Sequence, residues 1–472
     1  MSTIRKNTLY VAIGQIIRLL MAFVLLPVAS RILGDASFGR YNLATTIMFF
    51  VMLIDDFGIN MWLTREIAKN RDCAQRYFAF SLGLKSVLIF ASLLFVAILL
   101  ALTGYDAETV KAIWIFSLYG VLISFRDLAV AIYRAAEEMV WESLVLTIER
   151  VLVTVFGIVA LLVWHSLIAL SWAFVAAAVI SLLFSSRVLF SRYLVPQIWF
   201  SWHEFGQIFK GASLFGISVF LTTFYSRIDM MMLSVMKPPQ VWGYYGAAHK
   251  LIDFTNVVPT VLMIAMFPAF SRLQAGAADD LSYLFTRGVK MLLLLAVPLI
   301  PGVMIFSQQI VDVVYGSSFQ PAVPALRIFG VTAAILFINI FAAGLFGATG
   351  FQRHLLLIQM VGLLLNAGLN TLLIPGLAHI GAAAATVITE GLVLIITLWF
   401  ALTRITRLAE LRFLRQILLA TAGMTGVALA LKAAGIELWL GIGAGFAVYV
   451  VLALILRIVS WREIVAFRQS PG

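Results

Sequence analysis

Apolar runs of 18 to 28 residues, parted by short polar breaks, recur along the whole chain. At 1.5 Å of rise per residue, a helical run of about 20 residues crosses the roughly 30 Å hydrocarbon core of a bilayer. The pattern predicts fourteen such helices, at 8–30, 41–62, 77–102, 112–133, 142–164, 166–186, 211–236, 241–268, 291–308, 324–349, 354–374, 380–402, 413–431 and 438–456. An even number returns the chain to the side on which it starts. No break exceeds about two dozen residues, which leaves no room for a catalytic domain outside the membrane.

Composition agrees with the pattern. Of 472 residues, 62% are apolar and 12% charged, against about 25% charged in an ordinary soluble domain. That excludes a soluble globular protein. A net charge of +11 would point a soluble chain toward nucleic acid, so the placement of the cations matters. Of the 33 Lys and Arg, 21 fall in breaks or at run ends on the side of the termini, five in the opposite breaks and seven deeper within the runs. Cations in short loops mark the cytoplasmic side, so both termini are expected there. Acids balance cations in the other two compartments, so the whole excess is a topology signal and no nucleic-acid partner is implied. Arg5 and Lys6 before an apolar run ending at Val28-Ala29-Ser30 also fit a cleaved secretory signal. Cleavage would leave an odd number of spans and spoil the charge alternation, so the run is read as a span. Cys73 stands alone and can form no internal disulfide.

An aromatic-Gly-x-Tyr-x-x-Ala pattern occurs twice, at Phe38-Gly39-Arg40-Tyr41-Asn42-Leu43-Ala44 and at Trp242-Gly243-Tyr244-Tyr245-Gly246-Ala247-Ala248. Six runs separate the copies, so a duplication gives two repeats of the same orientation. The expected fold is therefore an all-α polytopic membrane protein with an N-lobe at 1–195 and a C-lobe at 211–402, pseudo-symmetric and six-helical. A linker at 196–210, rich in aromatics and ending at Lys210, suits the cytoplasmic interface.

Phe38-Gly39-x-Tyr41 is followed by Asp56-Phe57-Gly58, Arg65-Glu66-Ile67-Ala68, Arg227-Ile228-Asp229 and Val241-Trp242-Gly243-Tyr244-Tyr245. Later come Tyr315-Gly316-Ser317-Ser318-Phe319 and the segment from Ile374-Pro375-Gly376 to Ala384-Ala385-Thr386. In this order and spacing the chain resembles the polysaccharide-biosynthesis flippases, the Wzx-type or O-antigen members of the multidrug/oligosaccharidyl-lipid/polysaccharide exporter superfamily. The resemblance covers nearly the whole length. It departs after the fourth run, where a Gly- and basic-rich turn is expected and Arg134-Ala135-Ala136-Glu137-Glu138 stands. Two six-helix lobes forming a V are implied, with two further helices and a tail at 403–472. The implied activity carries an undecaprenyl-pyrophosphate-linked oligosaccharide from the cytoplasmic to the outer leaflet by alternating access. A proton or sodium gradient would drive it, with no other cofactor, in a bacterial inner membrane. The implied protein is a monomeric transporter, not an enzyme, working beside a polysaccharide polymerase and a chain-length regulator.

Ionisable groups at membrane depth point to function in any family, because each central one costs about 2.5–3.5 kcal/mol on insertion scales. The cations within runs are Arg18, Lys85, Arg126, Arg150, Arg227, Lys250 and Arg327; the acids are Asp55, Asp56, Asp127, Glu149, Asp229, Asp253 and Glu390. Seven cations facing lipid would cost on the order of 20 kcal/mol, so they must face a cavity or one another. Arg18 and Arg227 sit near the centres of the first runs of the two lobes, where neither snorkelling nor a sequence-local partner explains them easily, and are the main candidates for a pyrophosphate. A guanidinium fork grips phosphate oxygens bidentately. Arg126, Lys85, Arg150 and Lys250 are further substrate candidates, each with a structural reading beside it. Lys85, Arg126 and Arg150 lie within snorkelling reach of the cytoplasmic ends, and Lys250 can pair with Asp253 three residues on. Arg327 suits the outer interface. Asp55, Asp229, Asp253 and Glu390 are candidates for ion coupling, or else partners of nearby cations. Tyr225, Trp242 and Tyr245 can stack on sugars or belong to the interfacial aromatic belt. Pro27, Pro259, Pro298 and Pro301 permit bending, as hinges or as static kinks.

Three rival readings are weighed on the same residues. A multidrug or cation antiporter of the same fold would want an acidic cavity with few arginines. A lipid II or teichoic-acid precursor flippase stays open as a near relative. A membrane glycosyltransferase or polymerase would want a sizeable outer loop, whereas the outer acids Asp35, Asp106, Glu108, Asp312 and Glu437 are scattered over four short ones. The five His have no metal-ligand spacing, and Gly441-x-Gly443-x-Gly445 reads as close helix packing.

Overall fold

In a computed structural model, residues 3–193, 202–273, 278–408, 412–435 and 438–458 are described, and they are almost wholly helical. The helices are α1 (Thr3–Asp56), α2 (Ile59–Lys69), α3 (Ala74–Thr103), α4 (Ala107–Ala135), α5 (Met139–Trp164), α6 (Leu167–Arg192) and α7 (Trp202–Met236). There follow α8 (Pro239–Thr255), α9 (Val257–Leu273), α10 (Ala278–Val314), α11 (Val323–Ala348), α12 (Gln352–Arg404), α13 (Arg412–Ala433) and α14 (Leu438–Ile455). Ten stretches of the described residues are long and apolar enough to cross a membrane, and a shorter apolar helix covers Trp439–Ile455. The chain is a multi-pass, all-α membrane protein. Large apolar side chains such as Phe90, Leu102, Leu364 and Trp399 stand exposed on its surface, as a lipid-facing exterior requires. The beginning of the expected interfacial linker, 196–201, lies outside the described residues; the rest, from Trp202, is the first part of α7.

Two helices are far too long to be single spans. A straight helix of 54 residues would reach about 80 Å, more than twice the hydrocarbon thickness. Gly34 breaks α1 with φ +70°, a conformation without steric cost only for glycine, and the Asp35 carboxylate caps the restart by accepting from Ala36 N at 2.7 Å. The 53-residue α12 breaks at Ala378 (φ +50°), three residues after Pro375. Between α1 and α2, Phe57 (φ +35°) and Gly58 (φ +84°) turn the chain once more. Pro259, expected inside an unbroken eighth span, instead lies in the first turn of α9, where a missing N–H has no helical partner to lose. The turn after α4 closes with Glu137 at φ +62°, so the acidic residue takes the left-handed position that a glycine would fill without strain.

The chain divides into two compact units, Met1–Gly243 and Tyr244–Gly472. In the first, α1 packs on α4 and α5, both of these on α6, and α2 on α4. The helix α7, expected to open the C-lobe, packs on α1, α2 and α3 and is counted with this unit. Its glycines make the approach possible: a Cβ on Gly211 would strike the Trp62 indole, and one on Gly216 the Phe57 carbonyl. Trp62, Leu63, Phe78, Tyr133 and Phe205 form the core that ties these helices together. In the second unit α11 packs on α9, α10 and α12, and the pair α13 and α14 packs on α10. There the Tyr449 hydroxyl donates to the Leu294 carbonyl at 2.7 Å, and Gly441 lies against the Phe306 ring.

The two repeated glycines meet within the first unit. A Cβ on Gly39 would overlap the Pro239 carbonyl and lie 2.8 Å from Gly243 N, while one on Gly243 would overlap the Asp35 carbonyl. Backbone faces backbone, so neither side can yield by a rotamer change. Gly39→Val is therefore expected to destabilise by about 1–3 kcal/mol. Gly443, with nothing within 4 Å of a built Cβ, should accept Ala without loss. Thermal unfolding of the two variants in detergent checks the contrast; equal midpoints would refute it.

Candidate functional site

Most charges at membrane depth in the first unit gather around α1, α4 and α5. Arg126 on α4 is buried, its Nη2 2.5 Å and its Nε 3.0 Å from Asp127 Oδ1. Its Nη1 lies 3.6 Å from Glu149 Oε2 on α5. The Tyr119 hydroxyl donates to the other oxygen of Glu149. One guanidinium thus holds two carboxylates, the arrangement that makes buried charge tolerable. Arg150, the next residue along α5, is half-buried and within electrostatic range of Glu149, Tyr119 and Tyr41.

Lys85 on α3 is fully buried and anchored on three sides. Its Nζ donates to the Ser124 carbonyl at 2.8 Å and approaches Asp56 Oδ1 at 3.4 Å and Asn60 Oδ1 at 3.5 Å. The snorkelling readings of Lys85 and Arg126 do not hold. Both turn inward: Lys85 meets partners on α1, α2 and α4, and Arg126 meets Asp127 beside it and Glu149 on α5. Asp55 is also fully buried; Ser92 donates to its Oδ1 at 2.5 Å, and its Oδ2 has no hydrogen-bond partner.

Arg18 is half-buried and has the local partner that the sequence reading did not find: its Nη2 donates to Gln15 Oε1 at 2.5 Å. Its Nη1 is buried without a hydrogen bond, as is the hydroxyl of Thr147 beside it on α5. Glu142, Glu149, Arg126 and Arg150 all lie within its electrostatic range. Arg227 on α7 sits 4.9 Å over the Phe49 ring of α1, a cation–π contact. Phe49 in turn walls a cavity of about 220 Å³ that Asp56, Asn60, Ser124, Asp127 and Thr223 also line. Asp229, two residues from Arg227, is buried.

The remaining ionisable candidates are spread over the second unit. Asp253 is bridged by His249 at 3.3 Å, one turn earlier on α8, and Lys250 shares that turn. Glu390 on α12 is buried and takes the Asn339 amide at 2.6 Å. Arg327 donates through Nε to the Ser307 hydroxyl at 2.9 Å, a tie between α11 and α10. Of the three aromatics weighed for sugar stacking, Trp242 and Tyr245 are buried. Trp242 donates to the Lys237 carbonyl at 2.7 Å, and Tyr245 stacks on His249. Neither ring face is open to a sugar. Tyr225 is half-buried on α7.

Outside the spans, the Asp106 carboxyl lies below its ordinary range. Partial burial pushes it up, but hydrogen bonds from Thr109 and the Arg40 guanidinium outweigh that. Among the described residues no three His, Cys, Asp or Glu side chains cluster as a metal site. The neutral side chains Asn60, Ser92, Ser124 and Asn339 stand out less in the sequence than the ionisable residues, because a neutral polar group costs less in an apolar run. Their signal was available, as polar residues within apolar runs.

A family model described as "Polysaccharide biosynthesis protein" matches residues 4–274. The chain is 20% identical over 274 residues to the "Putative O-antigen transporter" of Escherichia coli K12, an alignment covering 57% of this chain and 65% of that one. The chain thus spans just under two thirds of that relative. It is 22% identical to the "Probable low-salt glycan biosynthesis flippase Agl15" of Haloferax volcanii, over 81% of this chain and 80% of that protein. Among solved structures it is similar to the lipid II flippase MurJ, with a TM-score of 0.80, 14% identity and coverage of 97% and 99% of the two chains. That likeness is one of fold.

Proposed function

The chain belongs to the polysaccharide biosynthesis protein family, a family of membrane transporters and not of enzymes, and from that premise we propose that it flips an undecaprenyl-pyrophosphate-linked oligosaccharide from the cytoplasmic to the outer leaflet. An O-antigen or related surface-polysaccharide repeat unit is the cargo. The observation that carries the reading is the buried ionic interior of the first unit, with a cavity that Asp56, Asn60, Ser124, Asp127 and Thr223 line beside apolar side chains, and a guanidinium on the ring that borders it. A chain passing lipid tails alone would have no use for such groups, since each is costly at membrane depth.

The proposed topology has fourteen spans with both termini in the cytoplasm of a bacterial inner membrane. Counting α1 with α2 as two spans, α12 as two, α8 with α9 as one, and adding α7 and α14 reaches that number. The proposed domains are a six-span N-lobe at 1–195, the linker at 196–210, a six-span C-lobe at 211–402 and a C-terminal pair at 403–472. Arg227 and Arg18 are assigned to the pyrophosphate, with Arg150 and Lys250 as secondary cations. Lys85 and Arg126 hold the site together by fixing Asp56, Asp127 and Glu149. Asp55 is the first candidate for coupling, because an ionised carboxylate with one hydroxyl donor leaves buried charge uncompensated. Uptake of a proton or sodium ion removes that charge. Asp229, Asp253 and Glu390 are the further coupling candidates.

The test reconstitutes the purified protein in vesicles with labelled undecaprenyl-pyrophosphate oligosaccharide and follows its appearance in the opposite leaflet. Flipping should depend on the protein and accelerate with an imposed proton or sodium gradient. No protein-dependent flipping would overturn the function, and flipping indifferent to the collapse of both gradients would overturn the coupling.

A further inference from the structure

The cavity in the first unit has a chemistry that a pyrophosphate does not explain. Its polar lining consists of two carboxylates, Asp56 and Asp127, with Asn60, Thr223 and Ser124; Phe49, Met52, Leu53 and Val219 make up an apolar remainder with one aromatic ring in it. Two cations of the neighbourhood stand behind this lining, and a third, Arg227, lies over Phe49. Lys85 is fully buried beneath Asp56 and Asn60, and Arg126 is buried beneath Asp127. An anion entering would meet carboxylate oxygens first.

The pocket has one unmet demand. Ser124 is buried, lines the cavity, and its Oγ has no hydrogen-bond partner, while its carbonyl is already occupied by Lys85. A buried hydroxyl left without a partner is costly, and a ligand that supplies one recovers that cost. The α1–α2 break lies at the same place: Gly58 lines the cavity and Phe57 beside it holds a strained positive φ. Irregular backbone at membrane depth is tolerated where it is buried in protein or lines a cavity, and strain of this kind gathers at ligand sites. At roughly 30 Å³ per water, 220 Å³ holds about seven waters, a space of the size of one sugar ring.

Carboxylates that accept from adjacent hydroxyls, an amide that both donates and accepts, a free hydroxyl and an aromatic face together suit a carbohydrate. Two carboxylates with no exposed cation between them disfavour a uronic acid. We infer that this cavity receives the neutral or amino-bearing hexose that carries the pyrophosphate of the lipid-linked substrate, with Asp56, Asn60, Ser124 and Asp127 hydrogen-bonding its ring substituents. The placement follows from Phe49, whose ring both walls the cavity and bears the Arg227 guanidinium at 4.9 Å. A phosphate gripped by Arg227 would therefore lie about one ring-width from the pocket, as the pyrophosphate lies next to its first sugar. This inference rests on the flippase reading for the identity of the sugar's source, not for the chemistry of the pocket.

The experiment measures thermal stabilisation of the purified protein in detergent by D-glucose, D-galactose, D-mannose, D-glucosamine and D-glucuronate. At least one of the first four should stabilise the protein saturably at millimolar concentration, and glucuronate should not. Ser124→Ala removes only the unpartnered hydroxyl and keeps the backbone carbonyl that holds Lys85, so it should fold normally. It should bind the effective hexose roughly three- to tenfold more weakly, the loss of one hydrogen bond. Stabilisation by none of the four, equal stabilisation by glucuronate, or unchanged affinity in Ser124→Ala would each overturn the inference. The vesicle assay separates the two claims. Flipping by a protein that binds no hexose defeats the pocket alone, and hexose binding by a protein that does not flip lipid-linked oligosaccharide defeats the transport reading alone.

Discussion

Arg126→Ala is expected to destabilise the protein by about 3–5 kcal/mol, a large share of the margin of an ordinary fold. The reason is what the substitution leaves behind. Glu149 would keep its charge in a buried site, and Asp127 its charge in a half-buried one, after losing the guanidinium 3.6 Å and 2.5 Å away, and Tyr119 would still donate to Glu149 without neutralising it. The cost belongs to the orphaned acids and not to the pair, which gives the prediction a second arm. Arg126→Met combined with Asp127→Asn and Glu149→Gln removes the charge as a set and should recover most of the stability, since buried ion networks replaced whole are often neutral. Thermal unfolding in detergent and abundance in the membrane read both arms. A single variant as stable as the parent, or a triple variant no better than the single, would show that the network is not what holds α4 to α5.

That network marks the line between what the sequence reveals and what it hides. The spans are legible because lipid imposes a length: the run at 77–102 is found inside α3 and that at 142–164 inside α5. The bends are legible only in part. Pro375 announces a disturbance, yet the break falls at Ala378, and Gly34 gave no signal that distinguished it from other glycines. The pairing of charges is legible only where partners share a helix, as Arg126 with Asp127 and His249 with Asp253; the links between helices are hidden. Lys85 meets Asp56 from 29 residues away and Arg126 meets Glu149 across an interhelical turn. Reading each cation along its own helix leaves snorkelling and a substrate role equally open for Lys85 and Arg126, and leaves Arg18 without the Gln15 that sits one turn behind it. Asn60 and Ser124 escaped notice for a related reason. A neutral polar residue costs little in an apolar run, and only the cavity gives it meaning.

Arg227→Ala is expected to lower flipping of lipid-linked oligosaccharide by about 10- to 100-fold at unchanged membrane abundance, the loss of one charge-assisted bidentate contact worth about 1.5–3 kcal/mol. Abundance should hold because Arg227 is half-buried over Phe49, whereas Arg126 is buried between Asp127 and Glu149. Arg227→Lys should fall between the two, since an ammonium keeps the charge but loses the planar fork and much of the ring contact. Phe49→Leu supplies a second test of the same geometry. It removes the aromatic face that positions the guanidinium, a contact of about 0.5–2 kcal/mol, and in combination with Arg227→Ala it should add less than it does alone. Arg327→Gln is the control, because that guanidinium is tied to Ser307 in the second unit and has no assigned contact with substrate. Normal flipping by both Arg227→Ala and Arg18→Ala would end the assignment of the pyrophosphate to this face, whatever the energetics of the charges behind it. Loss of flipping in Arg327→Gln as well would mean that any disturbed cation suffices, and would remove the site-specific reading just as firmly.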